Sequence, residues 1–133
     1  MPAKTVAEKL LIKPGSTVWI SADAHRPLVE PLPEGARHAG TVKEADVAVF
    51  FAADAAAARG LLDEHRAVLS EPGIVWIAYP KGNKADINRD SLWPIAGEYG
   101  LRPNGQVAVD EVWSAMRFRP LKPGEPPFTG GRG

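Results

Sequence analysis

Gly73-Ile74-Val75-Trp76-Ile77-Ala78-Tyr79-Pro80-Lys81-Gly82-Asn83 is the stretch that decides the fold. Ile74 to Tyr79 is an unbroken apolar run, β-branched and aromatic. Pro72-Gly73 closes it on one side and Pro80-Lys81-Gly82-Asn83 on the other. Such a run predicts a strand buried on both faces, of the kind found inside an α/β sheet. A strand of that type ends at the rim where α/β domains hold their ligands. The rim expected here carries Tyr79, Lys81, Asn83 and Lys84.

Upstream, Asp46 to Ala52 and Thr17 to Ser21 predict two more apolar strands. Asp54 is placed to cap a helix over 55–69, with Leu61, Leu62, His65, Val68 and Leu69 on one side. Thr5, with Glu8 three residues later, predicts a short helix that Pro14-Gly15 stops. Between the first two strands stand Pro27, Pro31, Pro33, Gly35 and Gly40. They predict an irregular crossover with a helical turn over 28–32, ending before Pro33. A dinucleotide-binding unit would have a Gly-rich turn opening a helix there. Prolines in its place predict no pyrophosphate cradle and no cofactor.

Downstream, Pro94 is tolerated in a first helical turn, which predicts a helix starting near 90–92 and stopped by Gly100. Gln106 to Asp110 and Val112 to Arg119 lie too close to be anything but an antiparallel hairpin. The Pro- and Gly-rich stretch 120–133 reads as a disordered tail, leaving one domain over 1–119. The expected architecture is a small Rossmann-like α/β domain of three parallel strands plus an antiparallel C-terminal hairpin.

The balance of 16 basic and 16 acidic residues gives no net charge to steer the chain to nucleic acid or an anionic membrane. With no cysteine, thiolate chemistry and Cys-based zinc sites are excluded. The three histidines are widely spaced, so no metal site is expected. No apolar run approaches the length of a membrane span, and Met1 to Lys9 lacks a signal-peptide core. A cytoplasmic location is the expectation.

Several pieces, in order, resemble a family of small bacterial α/β domains of unknown function. They are Lys13-Pro14-Gly15, the segments 31–35 and 46–51, Gly73 to Lys81, Asp86 to Asp90, Gly100-Leu101 and Val109 to Phe118. The resemblance implies a fold and a bacterial source, and carries no reaction, substrate or cofactor. The strand, helix and terminal hairpin are also similar to the second half of S-adenosylmethionine-dependent methyltransferases, whose Gly-rich first loop has no match here.

Candidate chemistry gathers at the expected rim. Lys81 and Asn83 flank Gly82, which lets a ligand approach the backbone, and together suit a phosphate or carboxylate. The plainer reading is a solvated turn. Asp23 and His25 follow the first strand, and alternation would set them on one side of an extended chain. A carboxylate beside an imidazole can orient it as a general base; the plainer reading is a polar turn. Arg89, between Asp86 and Asp90, serves either as an anion anchor or as a bond pinning the loop. Trp19, Trp76, Trp93 and Trp113 read as core. The leading reading is a binding or regulatory domain without catalysis. Its rim of Asp23, His25, Asp54, Tyr79, Lys81, Asn83 and Arg89 accepts a small anion or an acidic group of a protein partner. The alternative is an enzyme with Asp23 and His25 as acid and base and Lys81 stabilising charge. A third reading is self-association as a homodimer through an exposed apolar segment.

Overall fold

The computed structural model describes residues 6–21, 23–30, 32–69, 71–81, 89–120 and 124. Among these residues a six-stranded sheet runs in the order β2-β1-β3-β4-β6-β5. Its strands are β1 (Thr17–Ile20), β2 (Arg37–His38), β3 (Val47–Phe51), β4 (Ile74–Pro80), β5 (Leu101–Ala108) and β6 (Trp113–Pro120). The first four are parallel; β6 runs antiparallel to β4, and β5 antiparallel to β6. This is a small Rossmann-like domain ending in an antiparallel hairpin. No helix among the described residues is long and apolar enough to cross a membrane.

The run 74–79 behaves as its composition requires. Val75 to Tyr79 are all buried because β4 lies between β3 and β6 with a layer on each face. Val75, Ile77 and Tyr79 face a core built with α3 (Ala55–Glu64) and α4 (Arg89–Gly97). Trp76 and Ala78 face the other core, built with α1 (Val6–Lys9) and α2 (Arg26–Val29). At the amino end of the sheet the Asp46 carboxylate accepts from the Thr17 backbone N–H at 3.1 Å, which pins β1 to the start of β3.

Trp76 anchors α1. Its indole N–H donates to the Leu10 carbonyl at 2.9 Å inside the core. That carbonyl lies at a sharp helix end. Ile12 N–H bonds to Ala7 O, Leu11 N–H bonds to Glu8 O, and Leu11 takes the left-handed conformation (φ 65). The pattern is a Schellman stop, with leucine where glycine is usual. A left-handed leucine costs about 1–2 kcal/mol. Packing of Leu11 and Ile12 on the core offsets it.

Four expectations are corrected. The parallel strands number four among the described residues, because Arg37–His38 pairs with Thr17 and Val18. A two-residue edge strand needs no apolar pattern. The second-last strand spans 101–108 and not 106–110. Pro103 and Gly105 disguised it; an edge strand tolerates proline, and the ladder shifts register between these residues. The crossover helix sits at Arg26–Val29, with Pro27 in its opening turn, rather than over 28–32. The helix expected over 55–69 stops at Glu64, where His65 Nδ1 and its backbone N–H both bond to Leu61 O; a short 3-10 turn follows at Arg66–Val68.

The helix α4 starts at Arg89, so Pro94 lies beyond its first turn. Burial of Leu92, Ile95 and Ala96 against the sheet holds the helix despite the lost backbone donor.

A polar lattice braces α3 against α4. Arg59 Nη1 donates to both Glu98 carboxylate oxygens, at 2.9 and 2.8 Å. The Tyr99 hydroxyl donates to Asp63 at 2.8 Å, with the Arg66 guanidinium 4.5 Å above the Tyr99 ring. The hydrogen bond to the Asp63 carboxylate raises the Tyr99 pKa above its ordinary value of 10.0. The folded state therefore holds this proton more tightly than the unfolded chain does. The lattice's contribution through Tyr99 is complete below that ordinary value and is lost as pH rises through the higher, folded one. Urea titrations on either side of pH 10 are expected to show wild type losing stability more steeply with pH than Tyr99→Phe. Parallel pH profiles would remove this role.

Candidate functional site at the carboxyl edge of the sheet

The strand order reverses between β1 and β3: β2 lies on one side of β1 while β3 and β4 extend on the other. A crevice opens at such a switch point because the connections leave in opposite directions. Ser21 marks the place. Its backbone N–H still bonds to Val49 O, while its hydroxyl accepts the Phe51 N–H at 2.8 Å. A side chain thus completes the ladder where the β1 backbone turns away.

That turn is a 3-10 helix, Asp23–His25, running into α2. It swings the His25 ring back over the end of β3. The imidazole stacks on Phe51 with centroids 4.4 Å apart and planes at 15°, and meets the Trp113 ring edge-on at 5.3 Å. Phe51 and Trp113 contact each other edge-on at 5.2 Å, closing an aromatic triangle. Trp113 is held by the turn before β6, where the Asp110 carboxylate accepts from the Val112 and Trp113 backbone N–H groups at 2.8 and 2.7 Å. Within this triangle His25 Nδ1 is buried and has no hydrogen-bond partner.

The other rim residues separate. Tyr79 faces the α3–α4 core, its hydroxyl accepting from Gln106 Nε2 at 2.6 Å. Lys81 extends the ladder through its N–H to Val112 O, so alternation assigns it to Tyr79's face. His25 stands on the opposite face with Phe51, and a pocket shared by His25 and Lys81 is given up. Asp54 caps α3, accepting the Ala57 N–H at 2.8 Å. Asp54→Ala is expected to cost about 1 kcal/mol in urea denaturation. An unchanged midpoint would show that the cap contributes nothing.

The extended backbone expected at Asp23 and His25 needs correcting as well. The backbone over Asp23–His25 is a 3-10 turn. The extended chain that would have aligned them is absent. The Asp23 and Arg89 side chains lie outside what the structure describes, as does Asn83. Among the described residues no three of His, Asp or Glu gather to hold a metal. Phe51 and Trp113 were missed as site residues, since both read simply as core. An aromatic at the last position of a strand beside the switch point was the available signal for Phe51.

No family model and no curated protein matches the chain. Solved structures do. A protein of the NADB-Rossmann superfamily from Streptococcus agalactiae aligns with 7% identity over 90% of this chain and 69% of that one, at TM-score 0.55. A candidate tRNA (m1A22) methyltransferase from Streptococcus pneumoniae aligns with 10% identity over 98% of this chain and 74% of that one, at TM-score 0.59. A TehB-like SAM-dependent methyltransferase from Corynebacterium glutamicum aligns with 12% identity over 90% and 89%, at TM-score 0.51. At such identities the likeness shows the fold: Rossmann-like, of the methyltransferase type.

That fold raises S-adenosylmethionine as a cofactor, and the residues here do not fit it. A nucleoside cofactor needs close backbone approach after β1, which glycine supplies. Here the chain enters a 3-10 turn and lays the His25 ring across the end of β3. Ala39-Gly40-Thr41 follows β2 directly, and the carboxylate beside it, Glu44, already accepts the Thr41 hydroxyl at 2.9 Å.

Proposed function

We propose that this chain is a ligand-binding domain, built on a methyltransferase-like fold, that takes a small anion at its carboxyl edge without chemical conversion. One observation carries the reading: the buried, partnerless His25 Nδ1 beside the switch point. A buried polar nitrogen without a partner is costly, roughly 1–3 kcal/mol. Such a group calls for an explanation, and a bound ion is one of those that folded proteins use. An imidazole nitrogen that donates would suit a carboxylate or phosphate, and Phe51 and Trp113 supply apolar walls for its organic part. An acid-base dyad of Asp23 and His25 lacks support once the extended segment is replaced by a 3-10 turn.

The test is a thermal-melt series with inorganic phosphate, acetate, succinate and adenine nucleotides, each matched in ionic strength with potassium chloride. At a hundred times its dissociation constant an anion adds about 2.7 kcal/mol of stability, a shift of several degrees. The shift is expected in wild type and lost in His25→Ala. A shift that survives His25→Ala unchanged, or no shift with any anion, overturns the reading.

A further inference from the structure

The face of the carboxyl edge opposite His25 carries polar groups that the first site does not use. Tyr79, Ser114 and Ala108 form one row across β4, β6 and β5, since Ser114 pairs with both of the others. Directly opposed side chains lie about 5 Å apart at Cβ. Ser114 and Ala108 are small, so the floor of this row is low, and Ala108 is open to solvent. One row nearer the middle of the sheet, Gln106 stands opposite Met116. One row outward, the Lys81 N–H bonds to Val112 O, which continues the ladder and brings Lys81 to the Tyr79 face. The row is thus a shallow depression with Gln106 on its inner side and Lys81 on its outer side.

Three polar groups around it keep unused bonding capacity. The Gln106 carboxamide is held in place, its Nε2 donating across β6 to the hydroxyl of the buried Tyr79 at 2.6 Å. That bond uses the amide nitrogen and leaves Oε1, which accepts no hydrogen bond among the described residues. Holding an exposed glutamine in one rotamer costs up to about 2 kcal/mol of side-chain entropy. The half-buried Lys81 ammonium pairs with no carboxylate among the described residues, and the Ser114 hydroxyl has no hydrogen-bond partner among them. Tyr79 makes a further contact of its own, so it serves as wall and brace.

We propose that this depression binds a short-chain carboxylate that carries a hydroxyl or amino group a few carbons away. The Lys81 ammonium takes the carboxylate through a charge-assisted hydrogen bond, and its flexible stem lets it lean over the row. Gln106 Oε1 accepts the hydroxyl or amino proton from the other side, and the Ser114 hydroxyl bonds between them. A cation and a fixed acceptor on opposite sides of one row match a ligand whose two ends differ in just this way. The site is separate from the His25 edge and does not rest on it. Tyr79 faces the α3–α4 core, whereas Phe51 and Trp113, which hold the His25 ring, belong to the α1–α2 core.

Proton–nitrogen correlation NMR of the full chain reads this site through the Gln106 side-chain amide signals. The probes are β-hydroxybutyrate and γ-aminobutyrate, with butyrate as the matched control lacking the donor. Each is titrated at constant ionic strength to about 50 mM, well above a millimolar dissociation constant. Saturable movement of the Gln106 signals is expected with at least one probe, and the one that responds names the donor as hydroxyl or amine. Butyrate is expected to bind at least tenfold more weakly. Lys81→Met is expected to weaken apparent affinity at least tenfold and Ser114→Ala severalfold, while His25→Ala leaves it unchanged. If Lys81→Met does not fold, Lys81→Gln takes its place. Gln106 signals that move with neither probe, or equally with butyrate, overturn the proposal. So does wild-type affinity in the Lys81 variant, or loss of the response in His25→Ala.

Discussion

Trp76→Ala is expected to cost about 3–5 kcal/mol of folding stability, a large share of the 5–15 kcal/mol typical of a domain. Trp76 is 2% exposed, lies in β4 between β3 and β6, and faces the α1–α2 core. Truncation would leave a cavity under α1 and release the Leu10 carbonyl from its 2.9 Å bond. The melting midpoint should fall by on the order of 10–20 °C. Trp76→Phe separates the two contributions. It keeps most of the ring volume but leaves the Leu10 carbonyl buried without its donor, at a cost of roughly 1–3 kcal/mol. Urea denaturation reads both losses as a lower midpoint at constant slope. A Phe variant as stable as wild type would show that the indole bond contributes nothing and that α1 is held by packing alone.

The second large effect is at Phe51, which links the core to the candidate site. It is 6% exposed, stacks under His25 and meets Trp113 edge-on. Phe51→Ala is expected to cost about 3–5 kcal/mol and to abolish any anion-dependent shift that requires His25, because the imidazole loses its platform. Phe51→Leu keeps an apolar side chain and should cost much less while still removing the stack. A double-mutant cycle between Phe51→Leu and His25→Ala is expected to give a coupling of about 0.5–1.5 kcal/mol. Strict additivity would mean that the stack is energetically empty, and the argument for a positioned His25 would go with it.

Legibility in the sequence followed local physics. Ile74 to Tyr79 could be read because a strand covered on both faces has no polar position to interrupt it. Asp54 could be read as a cap because its carboxylate bonds within its own helix, to Ala57. The strand Leu101–Ala108 was hidden because Pro103 and Gly105 are strand breakers that an edge position accepts. Arg37–His38 was hidden because its strand character comes wholly from pairing with β1.

The site was half legible. His25 stood out as a titratable group after a strand, but the partner expected for it was its chain neighbour Asp23. The structure sets Phe51 and Trp113 against its ring. Tyr79 and Lys81 stood out at the end of β4, yet strand alternation sends them to the other face of the sheet.

By itself the sequence determined the α/β class, the central strand, the terminal hairpin and the lack of a Gly-rich loop, all features written in runs, breakers and caps of neighbouring residues. Only the tertiary structure decided the strand order, the reversal between β1 and β3, the face each rim residue occupies and the company His25 keeps. Those depend on contacts between residues far apart in the chain, and such pairings are selected by the joint burial of two cores rather than by any local pattern.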